Sequence, residues 1–182
     1  MKKAAALFLA VLMFFALCCS AAAETQTDEK TPDESDLSFS LLGLDGEFYT
    51  EELLSENELT MVNFWESWCG PCIREMPELE KLYQNYKEKG LNIVGVVSLC
   101  NVEYDELWDI SGVDTDGAIN EIIEATGVTY PIMVNIYSQL EEFETGSLPT
   151  TVFLDSTGNV VGEPKIGARS YEDWAKIVDE LL

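Results

Sequence analysis

Hydrophobic and polar positions along the chain follow two periods, and their order outlines a fold. Ser38-Phe39-Ser40-Leu41-Leu42 alternates polar and apolar, Asp45-Gly46 marks a turn, and Phe48-Tyr49 follows. That pattern predicts an N-terminal β-hairpin. Thr50 is placed to cap a short helix over Glu51 to Leu54. Leu59 to Trp65 reads as a buried central strand. From Gly70 to Lys89 the period becomes helical, with Leu79, Leu82, Tyr83 and Tyr86 at helical spacing, Pro77 inside and Gly90 at the end. Leu91 to Ser98 is almost continuously apolar, as expected of a strand covered on both faces in a parallel sheet. A strand, a long helix and a second strand make a right-handed β-α-β unit.

The second half is less regular. Asn101 to Thr126 is an acidic stretch, read as a loop plus a helix that starts near Asp116 and ends at Gly127. Asp114-Thr115-Asp116-Gly117 opens like a calcium loop, but the later ligand positions do not follow, so it reads as a helix cap. Pro131 to Val134 predicts a short strand and Tyr137 to Phe143 a short helix. Thr150 to Leu154 and Asn159 to Val161 flank the turn Asp155-Ser156-Thr157-Gly158 as a hairpin. Ser170 caps a terminal helix that reaches Leu182. No internal repeat is visible.

Three segments follow from composition. Residues 1–23 have a basic start (Lys2, Lys3), an apolar run from Ala4 to Leu17, and the small residues Ala21-Ala22-Ala23. That is the layout of a signal peptide, and Ala4 to Ala23 is also just long enough for an uncleaved N-terminal anchor. Cys18 or Cys19 offers a lipidation site, although the residues before them fit a lipobox poorly. Each alternative places the rest of the chain outside the cytoplasm. Residues 24–36 are polar and acidic, which predicts a disordered linker. Residues 37–182 are long enough to bury one core.

Acidic residues outnumber basic ones by 34 to 10, giving a formal charge of −24. Binding to nucleic acid or to an anionic lipid surface by charge is excluded. The chain has no histidine, which removes Ser-His and Cys-His catalysis and histidine-bearing metal sites. Proton transfer then falls to carboxylates, thiols or water.

The chemistry lies in Trp68-Cys69-Gly70-Pro71-Cys72, at the junction of the first central strand and the long helix. Two thiols two residues apart can close and reopen a small disulfide with little backbone movement. Cys69 falls at the helix N-terminus, where unpaired N–H groups and the positive dipole end favour a thiolate. Cys72 lies one turn further in, so one thiol is set to attack and the other to resolve. A zinc site would need a second pair of ligands, and beyond residues 1–23 the chain offers only Cys100. A static disulfide closing so short a loop would add little stability. Glu75, three residues beyond Cys72, is its helical neighbour and can relay its proton, or is simply an exposed glutamate. Cys100 ends the second parallel strand, where it is either a third thiol near the pair or a passive core thiol.

Four motifs in order carry a resemblance: Val62-Asn63-Phe64-Trp65, Trp68-Cys69-Gly70-Pro71-Cys72, Arg74-Glu75-Met76-Pro77 and Leu148-Pro149-Thr150-Thr151. With them the chain resembles the thioredoxin superfamily, and within it the exported TlpA/ResA-like thiol-disulfide oxidoreductases, from about Leu37 onward. The resemblance implies a thioredoxin-like α/β fold: a central mixed β-sheet flanked by helices, an N-terminal β-hairpin and an insertion after the second parallel strand. It implies that Pro149 is a cis-proline facing the thiols, exposing the backbone of Leu148 to an extended substrate. It matches Glu75 to an active-site glutamate, and places Trp68, Gly70 and Pro71 on the substrate surface. Asn63 stands where cytosolic thioredoxins keep an aspartate, in line with the exported branch. The expected activity is reduction of disulfides in exported proteins, in cytochrome c maturation or thiol repair, fed by a membrane thiol electron donor. No cofactor or metal is expected, and the chain is expected to be a monomer. The alternatives are a disulfide oxidase or isomerase, or a non-catalytic binding module of the same fold.

Overall fold

A computed structural model describes residues 37–97, 118–135, 139–140, 143 and 145–182. The chain divides into Met1–Pro32 and Asp33–Leu182, and all described residues belong to the second unit. The leader, the linker, Cys100, Asp114 to Gly117 and most of the proposed helix at Tyr137 to Phe143 lie outside the described residues.

Among the described residues, seven strands form one mixed sheet in the order β2-β1-β5-β4-β3-β6-β7. They are β1 (Ser40–Gly43), β2 (Phe48–Thr50), β3 (Leu59–Trp65), β4 (Leu91–Val97), β5 (Ile132–Val134), β6 (Thr150–Asp155) and β7 (Lys165–Ile166). The helices are α1 (Glu52–Ser55), α2 (Gly70–Tyr86), α3 (Ala118–Thr126) and α4 (Tyr171–Leu181). Strand β3 pairs parallel to β4 and antiparallel to β6, and β4 pairs parallel to β5. Strand β1 joins β2 and β5 antiparallel, as an N-terminal hairpin on the sheet edge.

Every residue of β3 and β4 is buried, so alternate side chains feed two cores. Leu59, Met61 and Trp65 face a core completed by Met76, Leu79 and Leu82 of α2, Ile119 of α3, and Trp174 and Val178 of α4. Val62, Phe64, Val94 and Val96 face a second core, closed by Leu54 of α1 and by Leu140. The three longer helices thus share one face of the sheet. Helix α2 ends in a single 3₁₀ turn (Lys87–Lys89), and Gly90 follows at φ 98°. A side chain is disfavoured at that angle, and a Cβ there would also press on Glu58 at 3.1 Å.

Two expectations are corrected. Thr50 lies one residue before the N-cap of α1, its hydroxyl accepting from the Glu52 N–H at 3.4 Å, and Glu51 holds the cap position with no side-chain cap bond. Its carboxylate instead accepts from the Phe39 N–H at 3.2 Å, tying the helix to the hairpin. The turn Asp155 to Gly158 forms, but Val160 makes only an isolated bridge to Leu154. The strand that pairs with β6 on the side away from β3 is Lys165–Ile166, too short to be recognised from alternation.

Candidate redox site

Strand β3 delivers the chain to the carboxyl edge of the parallel strands, and one tight turn starts α2. The Cys69 N–H donates to the Glu66 carbonyl at 3.0 Å, and the Ile73 N–H to the Cys69 carbonyl at 3.1 Å. Cys69 is the N-cap of α2, and its Sγ accepts from the Cys72 N–H at 3.3 Å. Pro71 falls in the first turn, where its missing N–H removes no helical bond. Cys69 and Cys72 are joined by a disulfide, with Cα atoms 5.3 Å apart.

Both sulfurs are sheltered, but only Cys69 borders open space. A cleft of about 540 Å³ is lined by Trp68, Cys69, Gly70 and Pro71 on one side and by Ser147 and Leu148 on the other. Trp68 stands 74 % exposed at the rim. The Leu148–Pro149 peptide bond is cis. Pro149 is buried behind Leu148, and its carbonyl accepts from the Gly167 N–H at 2.8 Å, while the Thr150 hydroxyl donates to the Ser147 carbonyl at 2.6 Å. These bonds hold the loop opposite the disulfide. A reactant in the cleft meets Cys69 first, because Cys72 does not line it.

Glu75 is not an exposed helix glutamate: it is 2 % exposed. It lies on the α2 face that carries Cys72 and Met76 into the core. Its Oε1 accepts from the Arg169 backbone N–H at 2.7 Å and from the Trp174 indole N–H at 2.8 Å. Its Oε2 is buried with no hydrogen-bond partner among the described residues. Burial pushes the proton affinity of this carboxyl above the ordinary glutamate range. The two N–H donors, the Arg169 charge and the Asn63 amide pull the other way without cancelling the effect. Burial, together with the charges of Glu75 and Glu80, likewise pushes the Tyr130 phenol far up. Asn63 donates from Nδ2 to Thr151 Oγ1 at 3.0 Å, across the β3–β6 register pair.

Of the residues singled out from the sequence, Trp68, Cys69, Gly70, Pro71 and Leu148 therefore meet at the cleft, with Cys72, Glu75 and Pro149 behind it. Three further residues were not foreseen. Glu66 directly follows β3 and lines the cleft while 8 % exposed; an acidic residue directly after a buried strand and three before Cys69 was the available signal. Arg169 and Trp174 hold Glu75 across sequence separations of 94 and 99 residues, and no local pattern announces that.

The redoxin family model matches residues 26–166. The chain belongs to the redoxin family. This redoxin is 36 % identical over 100 residues to the thiol-disulfide oxidoreductase ResA of Geobacillus kaustophilus, covering 54 % of this chain and 49 % of the relative. It is 31 % identical over 129 residues to ResA of Halalkalibacterium halodurans, covering 70 % of this chain and 65 % of the relative. The chain spans about half the length of the first curated relatives it matches. Among solved structures it is similar to StoA from Bacillus subtilis, with TM-score 0.58, 22 % identity, and coverage of 78 % of this chain and 96 % of that one. It is also similar to a thioredoxin-family thiol:disulfide interchange protein from Chlorobium tepidum, with TM-score 0.63, 24 % identity, and coverage of 83 % and 97 %. These neighbours show the thioredoxin-like fold, as the sequence motifs imply.

Proposed function

We propose that this redoxin is an extracytoplasmic thiol-disulfide oxidoreductase that reduces disulfides in exported proteins. The observation that carries the reading is a disulfide at a helix N-terminus of which one sulfur, Cys69, borders a cleft. In the reduced pair, Cys69 attacks a substrate disulfide as thiolate, and the displaced substrate thiolate takes up a proton. Cys72 then loses its proton to Glu75 and attacks Cys69 Sγ, releasing the second substrate thiolate and closing the Cys69–Cys72 disulfide. Two electrons pass from the dithiol to the substrate. Trp68, Gly70, Pro71 and Leu148 form the surface against which an extended segment lies, with Pro149 supporting Leu148 from behind.

The named activity of the ResA relatives supports this chemistry. On this reading residues 1–23 export or anchor the chain, residues 24–36 act as a tether, and residues 37–182 work as a monomer. A membrane thiol carrier re-reduces the pair, and the substrates include apocytochrome c or oxidised repair enzymes.

The test uses the reduced full-length chain with insulin as the disulfide substrate. Wild type precipitates the insulin B chain. Cys69→Ser does not, and Cys72→Ser stops at a mixed disulfide visible by mass spectrometry. An equilibrium potential near that of thioredoxin, about −270 mV, marks a reductant. A potential near about −120 mV would instead make the protein an oxidase. Insulin reduction that survives Cys69→Ser would refute the assignment.

A further inference from the structure

Helix α2 carries two carboxylates that reach across to the start of α4. Glu78 Oε2 accepts from the Tyr171 N–H at 3.2 Å, an ordinary tie in half-buried surroundings. Glu75 is engaged differently. Its Oε1 takes two donors, one from the main chain at Arg169 and one from the indole of Trp174, while Oε2 takes none among the described residues. A carboxyl group proton resides on one oxygen, and an oxygen already accepting two N–H groups is the poorer site for it.

Trp174 is itself fixed. It is fully buried at 0 % exposure, its ring meets Phe153 edge-on at 6.2 Å, and the Arg169 guanidinium lies 5.0 Å from its ring centre. Arg169 is anchored in turn by bonds to the carbonyls of Ile166 and Gly167 at 3.2 and 2.6 Å. The donors therefore cannot swing away when Glu75 changes charge. We propose that Trp174 is a positioning residue for the thiol chemistry: with the Arg169 amide it pins Oε1 of Glu75, so that Oε2 is the oxygen that takes the proton from Cys72. Trp174 touches neither substrate nor sulfur in this role and acts through Glu75. The inference rests on the assignment of Glu75 as proton acceptor in the proposed function.

The charged and titratable groups around Glu75 are Arg169 at the entry to α4, Tyr130 before β5, and Cys72 one helical turn before it on α2, with the Asn63 amide of β3 beside it. Tyr130 stays neutral at any working pH, because its proton affinity is pushed far up. The step to follow is resolution by Cys72. In the full-length chain with Cys18, Cys19 and Cys100 replaced by serine, the reduced pair is mixed with 5,5′-dithiobis(2-nitrobenzoate). Attack by Cys69 releases a first coloured thiolate, and attack by Cys72 on the mixed disulfide releases a second.

Trp174→Phe keeps an aromatic ring in the core and removes the N–H. The second release is expected to slow about tenfold near neutral pH, with its pH midpoint moved upward by about one unit, because the carboxylate has lost a donor. The first release is expected to be unchanged. In a Glu75→Gln background, Trp174→Phe should add nothing. If it slows the second release equally in both backgrounds, Trp174 acts through packing and the proposal is overturned. An unshifted midpoint in Trp174→Phe overturns it too. If Glu75→Gln alone leaves the second release and its pH profile unchanged, the proton-acceptor reading beneath the proposal fails, and the proposal with it. Should Trp174→Phe fail to fold by circular dichroism, benzothienylalanine placed at 174 by codon suppression keeps the ring shape without the N–H and faces the same criteria.

Discussion

Glu75→Gln should change the slope of stability against pH, and the structure gives the sign. The carboxyl is buried with one oxygen unpartnered, and burial raises its proton affinity in the folded chain above the ordinary value of 4.5. Between the unfolded and folded pKa values, the native chain holds a proton at Glu75 that the unfolded chain has lost. Wild-type stability therefore falls as pH rises through that window. With one proton difference, the loss approaches about 1.4 kcal/mol per pH unit. The stabilising contribution is complete below the unfolded pKa and gone above the folded one.

Glutamine removes this titration. It still offers an oxygen to the Arg169 and Trp174 donors, but it places an NH₂ where Oε2 has no partner. That costs about 1–3 kcal/mol at every pH. The prediction is thus a pH-dependent difference superimposed on a constant offset, and only the slope tests the reasoning. Urea unfolding of both proteins with the disulfide intact, followed by tryptophan fluorescence from pH 4.5 to 8, measures it. Wild type should lose ground to Glu75→Gln as pH rises. A difference constant across pH would mean that folding leaves Glu75 unperturbed. A wild type that gains on the variant would mean that the N–H donors outweigh burial. Either result refutes the argument.

Three further changes test the frame around the site. Leu79→Ala removes a fully buried α2 side chain from the core shared with α4 and should cost about 2–5 kcal/mol in urea unfolding. Ser170→Ala deletes the hydroxyl that accepts the Asp173 N–H at 3.2 Å; it should cost about 1 kcal/mol and lower the thermal midpoint by a few degrees. Thr151→Val removes the hydroxyl that accepts from the buried Asn63 amide and should cost about 1–3 kcal/mol in chemical denaturation. Thr151→Ser, which keeps the acceptor, should recover most of that.

The parts of the fold legible in the sequence are those where one period persists. Leu59 to Trp65 and Leu91 to Val97 are buried on both faces, so most of their positions had to be apolar. The helix between them shows its apolar face at Leu79, Leu82 and Tyr86. The redox pair was legible for a related reason, since its chemistry is set by adjacent residues at one strand-to-helix junction. Strand β7 was not, because two residues, one half-buried and one exposed, carry no alternation. Glu51 holds the cap position one residue after Thr50 while its carboxylate accepts from the Phe39 N–H, a tertiary contact that capping propensity does not include.

Glu75 marks where local reasoning stops. Helical spacing from Cys72 identified it as a neighbour but left open whether it was buried, and that distinction decides its chemistry. Asp155 shows why. Its Oδ1 accepts from the Thr157 N–H and hydroxyl and from the Asn159 N–H at 2.7 to 2.9 Å. Burial pushes it up, but these hydrogen bonds win and hold its carboxyl below the ordinary aspartate range. Its donors come from residues two and four positions away, and the turn stays open to solvent. Glu75 takes its two close N–H donors from the far end of the chain, and it is enclosed beneath α4. Partial satisfaction with full enclosure leaves the proton affinity high. A carboxyl group is thus held toward its anion in one setting and toward its protonated form in the other. What separates them is the docking of the C-terminal helix against α2, which a reading of neighbouring residues cannot contain.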